Sequence, residues 1–118
     1  MKTMTKILAE SGITNPQVRF KMLNGKGDKL SNHVSSVMDI IGYMILEKID
    51  SGGEEQLILN VYTNDGRVIG TNSRTVRETF EAMVSSFGEP TEETPIKSVI
   101  VKSTPSAKGR NFLDFDFA

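Results

Sequence analysis

Apolar and polar residues alternate along residues 57–63 and again along residues 111–117. This period of two is typical of a β-strand with one buried face, so both segments are predicted strands. An Asp65-Gly66 pair follows the first segment and precedes a short β-rich run, residues 68–70. Asp-Gly between two strands is a strong hairpin signal, and it predicts a type I′ turn with positive φ at both central residues.

Residues 34–49 fit two secondary structures. Their apolar residues are compatible with helical spacing, but residues 39–49 are rich in isoleucine and Gly42 lies in the middle of the segment. β-Branched residues favour strands, and an internal glycine marks a bend or a close approach of another segment. We therefore predict a long strand over residues 38–49 that bends near Gly42.

Residues 74–87 are predicted to form a helix, because their apolar residues recur at intervals of three and four positions. These residues are Val76, Phe80, Met83, Val84 and Phe87. Asn72 or Ser73 can cap the N-terminus of the helix, and Gly88 ends it.

The N-terminal segment predicts a helix followed by a strand. Within residues 3–11, Met4, Ile7 and Leu8 fall on one helical face, and Gly12 follows as a helix C-terminus would require. Residues 18–23 alternate between apolar and basic or polar side chains, which predicts a strand with a basic outer face.

From residue 38 onward the predicted order is three strands, the helix over residues 74–87, a strand over residues 96–103, and a final strand. This is the element order of a five-stranded Greek-key OB barrel. We predict a mainly β, OB-fold-like barrel with the helix between the third and fourth strands, in a single domain over residues 1–118. Residues 1–30 would be an N-terminal extension with an extra strand and helix. An SH3-like barrel and an α+β sheet are the alternatives.

The composition argues against catalysis. The 118 residues include one histidine and no cysteine, so disulfide scaffolds, thiol nucleophiles and iron–sulfur sites are excluded. His33 lies in a predicted loop with no nucleophile beside it, and residues 25–27, Gly-Lys-Gly, lack the spacing of a phosphate loop. We therefore predict a protein that is not an enzyme and that uses no cofactor or metal.

The same sequence predicts a location in the cytoplasm. The longest apolar run, residues 40–46, is too short to cross a bilayer. The first residues lack the apolar core of a signal peptide. No membrane partner is expected.

The charges are unevenly distributed along the chain. Residues 89–93 and 114–118 contain five acidic and no basic residues, so the rest has 14 basic against 10 acidic residues and a formal charge of +4. A basic body with acidic appendages is compatible with a groove that follows a phosphate backbone. Tyr43, Tyr62 and Phe112 lie on predicted strands and are candidates for stacking on unpaired bases.

Three segments of this chain together carry a family resemblance. They are residues 38–43 (Met-Asp-Ile-Ile-Gly-Tyr), residues 64–73, with Asn-Asp-Gly-Arg and Gly-Thr-Asn-Ser, and residues 106–110 (Ser-Ala-Lys-Gly-Arg). In these segments the chain resembles the small single-stranded DNA-binding proteins encoded by phages of Gram-positive bacteria. The resemblance implies an OB fold, sequence-independent binding to single-stranded DNA, self-association into a dimer or higher oligomer, and a role in phage DNA replication or recombination.

The resemblance also implies a DNA path along the sheet and its loops. Its candidate residues are Tyr43, Tyr62, Arg67, Arg74, Lys102, Lys108, Arg110 and Phe112. The basic side chains would neutralise phosphates, and the aromatic rings would stack on bases without reading their edges.

The C-terminus has a second, looser resemblance, to the acidic and aromatic tails with which bacterial single-stranded DNA-binding proteins recruit replication and repair proteins. Asp114, Phe115, Asp116 and Phe117 are the candidates for contact with such a partner. The segment has two acids, no Pro-Phe end and no long linker before it. Its alternation also fits an edge strand that pairs with another subunit, so both a free tail and a strand stay open.

Two other classes of function are compatible with the sequence. A small phage protein-interaction module, which inhibits or regulates a host protein through an acidic and Phe-rich surface, suits the net charge of −1. A regulator of duplex DNA would need a basic recognition helix. The predicted helix lacks one, since Arg74 and Arg77 are offset by Glu78 and Glu81.

Overall fold

The computed structural model describes residues 4–105, 109 and 111–118. In these residues the chain forms seven strands, two α-helices and one 3₁₀ turn. Their order is β1 (Met4–Ser11), α1 (Pro16–Leu23), β2 (Asp28–Lys29), the 3₁₀ turn (Leu30–His33), β3 (Val37–Ile49), β4 (Glu55–Thr63), β5 (Val68–Thr71), α2 (Arg74–Phe87), β6 (Ile96–Pro105) and β7 (Asn111–Phe117).

All these strands belong to one curled, open sheet. The strand order is β2-β5-β4-β3-β6-β7. β1 is not part of this order and pairs with residues 43–49 of β3. Every pairing is antiparallel except that of β2 with β5. The predicted mainly β, barrel-like class is confirmed, as is the placement of the helix between the third and fourth strands of the series from residue 38. Because the sheet ends at β2 and at β7, the structure is a half-barrel.

The long strand β3 confirms the bend that was predicted near Gly42. The first residues of β3 pair with β6, whereas the residues from Tyr43 onward pair with β1. The register against β4 shifts between Ile40 and Gly42. A Cβ on Gly42 would lie 2.7 Å from Ile13 Cδ1 and 3.0 Å from the Gly12 carbonyl oxygen. Glycine is therefore required where the chain after β1 crosses β3.

The first N-terminal prediction is wrong, because residues 3–11 do not form a helix. Met4–Ser11 is strand β1, which pairs antiparallel along the second half of β3. The edge of β3 offers a row of backbone hydrogen-bonding groups, and this long-range partner outweighs a weak local helical pattern.

The second N-terminal prediction is also wrong, because residues 18–23 belong to helix α1. The Asn15 side chain accepts a hydrogen bond from the Gln17 N–H (2.8 Å), and Pro16 occupies the first helical turn. An Asn cap followed by Pro is a helix start signal. Val18 and Met22 are buried at helical spacing, whereas Phe20, between them, is exposed. The apparent alternation was therefore a coincidence of spacing.

The hairpin after β4 is confirmed, but its predicted type I′ turn is wrong. Of the turn residues 64–66, all of which the structure describes, Gly66 alone has a positive φ (88°). The Gly66 N–H donates to the Thr63 carbonyl (3.0 Å), and the Thr63 N–H donates to the Arg67 carbonyl (3.0 Å). This is a three-residue loop that ends in a left-handed glycine.

Each face of the sheet has its own hydrophobic core. On the inner face, α2 packs over the curl of the sheet through Val76, Phe80 and Met83. On the outer face, Val18 and Met22 of α1 pack in a second cluster with residues of β3 and β5. In the part of the chain that the structure describes, no helix has both the length and the apolarity needed to cross a membrane.

Candidate nucleic-acid interface

A groove of about 630 Å³ lies where the curled sheet stays open, between β2 and β5 on one side and β7 on the other. Gln56, Ile58 and Asn60 of β4 line it, together with the junction of β5 and α2. Phe112, near the start of β7, lines it from the opposite end of the sheet. The groove therefore gathers residues that are far apart in the sequence.

The alternation of β4 explains which of its residues reach the groove. Leu59 and Val61 point into the inner core, so Ile58, Asn60 and Tyr62 share the outer face. Tyr62 packs into the outer cluster with α1, whereas Ile58 and Asn60 line the groove. Helix α1 thus covers one part of this face and leaves the other part accessible.

Phe112 is the predicted site residue that the structure brings into the groove. Its side chain is 61% exposed although it lies on a strand. It pairs with Thr104 of β6, whereas Leu113 and Phe115 pack towards the inner core. An exposed ring in a groove is available for stacking on a planar ligand.

One lysine lines the groove, and a second lies beside two of its lining residues, Gln56 and Gly25. Lys29 of β2 lines it and is paired in register with Gly70 of β5. Lys48 pairs with Gln56, and its Nζ lies 3.7 Å from the position that a Cβ on Gly25 would occupy. Among the ion pairs of the described residues, none involves Lys29 or Lys48.

Asp28 is the opposing charge in the groove lining. Its carboxylate lies 3.1 Å from His33 Nε2 at the end of the 3₁₀ turn. The described residues contain no group of three or more His, Cys, Asp or Glu side chains that is arranged to hold a metal ion.

Asn60 has unusual surroundings for a groove residue. Its side chain is 3% exposed, and its Nδ2 has no hydrogen-bond partner among the described residues. Gly70 lies directly opposite on β5, where a Cβ would come within 2.9 Å of Asn60 Oδ1. The absence of a side chain at Gly70 therefore leaves the space that the Asn60 amide occupies.

Tyr43 and Tyr62, which were expected to stack on bases, do not line the groove. Tyr43 is buried on the inner face, and its ring packs edge-to-face on Phe80 with centroids 5.0 Å apart. Burial, followed by the neighbouring Glu89 carboxylate, raises the pKa of the Tyr43 hydroxyl above its ordinary value. Tyr62 is half-buried beside α1. The Tyr43 ring is thus packed in the inner core and the Tyr62 ring in the outer cluster with helix α1, so neither ring lines the groove.

Arg67 and Lys102 are engaged by carboxylates away from the groove lining. Arg67 Nε lies 2.9 Å from the Asp65 carboxylate. The hydrogen bond from Arg67 is the main cause that lowers the pKa of Asp65, and the hydrogen bond from the Thr63 hydroxyl is the second. Lys102 Nζ lies 2.9 Å from Asp116, and this contact lowers the pKa of the Asp116 carboxyl.

Arg74 is exposed at the start of α2, between the groove residues Ser73 and Thr75. Its Nε lies 2.6 Å from Glu78, one helical turn away. Lys108 and Arg110, the two basic residues predicted before β7, lie outside the described residues.

The C-terminal candidates form strand β7 and are therefore not a free tail. Phe115 is buried beneath α2, edge-to-face with Phe80, so its ring is not available to a partner. Asp114 and Asp116 lie opposite Lys102 and Ile100 of β6. Phe117 is 39% exposed, and its ring packs on that of Phe87, which is 65% exposed, with centroids 5.3 Å apart.

Four residues of the groove were not among the predicted site residues: Lys29, Gln56, Ile58 and Asn60. The alternation of β4 contained a signal for two of them, since it places Ile58 and Asn60 on the same face as the selected Tyr62. The local pattern did not show that β7 and β2 border that face. The sequence around Lys29 has no strand pattern, because β2 forms only through its pairing with β5.

Comparison of the chain with protein-family models, with curated proteins and with solved structures returned no match. The resemblance to phage single-stranded DNA-binding proteins therefore stays a prediction.

Proposed function

We propose that the protein binds single-stranded DNA in the groove, and so protects or organises the strand during phage replication or recombination in the host cytoplasm. The observation that supports this proposal best is an exposed aromatic ring and a lysine in the lining of one groove, with a second lysine beside the lining residues Gln56 and Gly25. Phe112 supplies the ring, and Lys29 and Lys48 supply the charge. Tyr43 and Tyr62 are no longer part of the proposed path.

Binding is passive in this proposal. An unpaired base stacks on Phe112, which contributes about 1–3 kcal/mol in comparable sites. Lys29 and Lys48 neutralise phosphates and release counterions, so affinity falls as salt rises. Bases in a duplex are already stacked on one another, so the Phe112 ring cannot stack on one of them unless the duplex is first unstacked. The proposal therefore includes a preference for single strands.

Self-association and partner recruitment belong to the same proposal. β7 ends the sheet, and an edge strand can pair with a strand of another chain. The exposed Phe117 and the acidic Asp116 at its end are accessible to a replication or recombination protein.

The experiment that tests the proposal is a fluorescence-anisotropy titration of labelled oligo-dT, at low and moderate salt, with the matching duplex as control. Phe112→Ala is expected to weaken single-strand binding about 5- to 150-fold, through loss of the stack. Phe87→Ala is the matched control, because Phe87 is equally exposed (65% against 61%) and lies outside the groove lining. It should leave the affinity unchanged.

Three results would contradict the proposal. They are equal affinity for the duplex, absence of binding at micromolar protein and low salt, and an equal loss of affinity in both variants.

A second candidate function is a protein-interaction module, favoured by the exposed Phe87–Phe117 pair. This pair replaces the predicted pair of Phe115 and Phe117, because Phe115 is buried. In this case a host protein captured by the wild type should be lost with Phe87→Ala and retained with Phe112→Ala. The same two variants therefore separate the two candidate functions.

A further inference from the structure

Asn60 combines deep burial with an unused hydrogen-bond donor. The side chain is 97% buried, since 3% of it is exposed, and Nδ2 finds no partner in the described part of the chain. Buried polar groups are nearly always hydrogen-bonded, and an unpaired buried donor is destabilising. Leu or Val would fit a strand at this position without that cost. The orphan amide therefore needs an explanation.

The position of Asn60 in the groove supplies one. Asn60 lies on the outer face of β4 between Ile58, which lines the groove, and Tyr62, which α1 covers. Gly70 of β5, directly opposite, also lines the groove, and the Asn60 amide occupies the space that a side chain at Gly70 would fill. The amide is thus recessed in the wall that faces Phe112.

We propose that the Asn60 Nδ2 donates a hydrogen bond to the exocyclic carbonyl oxygen of a base held in the groove. This inference rests on the proposed single-strand binding and refines it, because it makes one position of the strand base-selective. An exocyclic carbonyl projects from the ring of thymine, cytosine or guanine, and in this proposal it is the acceptor that approaches the recessed Nδ2. The acceptors of adenine are ring nitrogens, and its exocyclic group is itself a donor, which would face Nδ2 unpaired.

The test compares oligo-dT and oligo-dA of equal length on the wild type and on Asn60→Leu. The wild type should prefer oligo-dT, and the substitution should reduce the dT-to-dA affinity ratio about fivefold, through loss of one buried hydrogen bond. Self-stacking of oligo-dA lowers its affinity for both proteins equally, so the ratio isolates the contribution of Asn60. Gln17→Leu is the matched control, because Gln17 is an exposed amide on helix α1 outside the groove lining. It should leave the ratio unchanged.

The melting temperature is the second readout. If Asn60 had only a structural role, Asn60→Leu would lower the melting temperature. Removal of an unpaired buried donor should leave the melting temperature of Asn60→Leu equal or higher. If Asn60→Leu does not fold, Gly70→Ala tests the same contact, because its Cβ displaces the amide while the backbone conformation accepts alanine. It should also lower the dT-to-dA ratio.

The outcomes distinguish this inference from the proposed function. Loss of affinity with Phe112→Ala but an unchanged ratio in Asn60→Leu would overturn the role of Asn60 and leave single-strand binding standing. A folded Asn60→Leu protein with a lower melting temperature and an unchanged ratio would assign Asn60 a structural role. If the wild type binds no single strand, both proposals fail together.

Discussion

Phe80 shows how a single side chain decides which aromatic rings are available to a ligand. It is fully buried, and the rings of Tyr43 and Phe115 both pack on it edge-to-face. Such contacts add about 0.5–1.5 kcal/mol to the burial of each ring. Tyr43 and Phe115, which the sequence made candidates for binding, are therefore buried in the core. Phe112 is the predicted aromatic residue that lines the groove.

Tyr43→Phe should leave oligo-dT affinity unchanged, because Tyr43 is buried and does not line the groove. The pKa of the buried hydroxyl is raised from its ordinary value of 10.0, so the neutral form is favoured in the folded state. Stability from this group is fully present below about pH 10 and is lost as the pH rises towards the folded-state pKa. Between about pH 9 and 11, the free energy of unfolding should therefore fall less steeply in Tyr43→Phe than in the wild type.

Denaturant unfolding of both proteins across this pH range is the measurement. Because the two proteins differ only at residue 43, the difference between the two curves reports Tyr43. Parallel curves, or a tenfold loss of oligo-dT affinity in Tyr43→Phe, would show that Tyr43 is accessible in the functional protein.

Among the elements, the two-residue strand β2 forms one border of the groove although it is short. Its parallel pairing with β5 places Lys29 opposite Gly70 and beside the groove. Helix α1, directly before it, covers Tyr62 and so limits how far the groove extends along the sheet. The N-terminal segment therefore determines one border of the proposed interface.

The placement of Lys29 predicts its effect on the salt dependence of binding. Lys29→Ala should weaken oligo-dT binding and reduce the log–log salt slope by about 0.7, the value for one phosphate contact on a single strand. Lys97→Ala is the control, because Lys97 is an exposed lysine on β6 outside the groove lining. Anisotropy titrations at several salt concentrations provide both slopes. An equal change of slope in the two variants would indicate a diffuse charge effect rather than a groove contact.

At the scale of the whole molecule, the groove exists because a single sheet curls until its two ends approach each other. Residues 28–31 lie at one end and residues 111–113 at the other, and both line the groove. A ligand that spans the groove would touch both ends, and its binding free energy would add to the stability of the curled state.

This geometry predicts the hydrogen-exchange response to DNA. Saturating oligo-dT should slow amide exchange in both segments, 28–31 and 111–113, although they are distant in the sequence. At a ligand concentration of about 100 times the Kd, the stabilisation should be about 2.7 kcal/mol. Peptide-resolved exchange by mass spectrometry, with and without oligo-dT, measures both segments together. Protection confined to one segment would contradict binding between the two ends of the sheet.

Local sequence patterns predicted the elements from residue 55 onward and favoured, without deciding it, a strand over residues 38–49. Alternation predicted β4 and β7, the apolar stripe predicted α2, and the Asp-Gly pair predicted the hairpin. The sequence did not determine the N-terminal elements, because β1 forms only against the edge of β3. The Asn15-Pro16 start of α1 was a local signal that the alternation of Val18 and Met22 obscured.

The tertiary structure decided which face of each strand meets the groove. The register shift between Ile40 and Gly42 breaks the alternation that would have assigned Tyr43 to a face. Asn60 became a candidate only when β5 placed Gly70 opposite it. These relations depend on pairing between distant segments, and a local pattern of apolar and polar residues does not contain them.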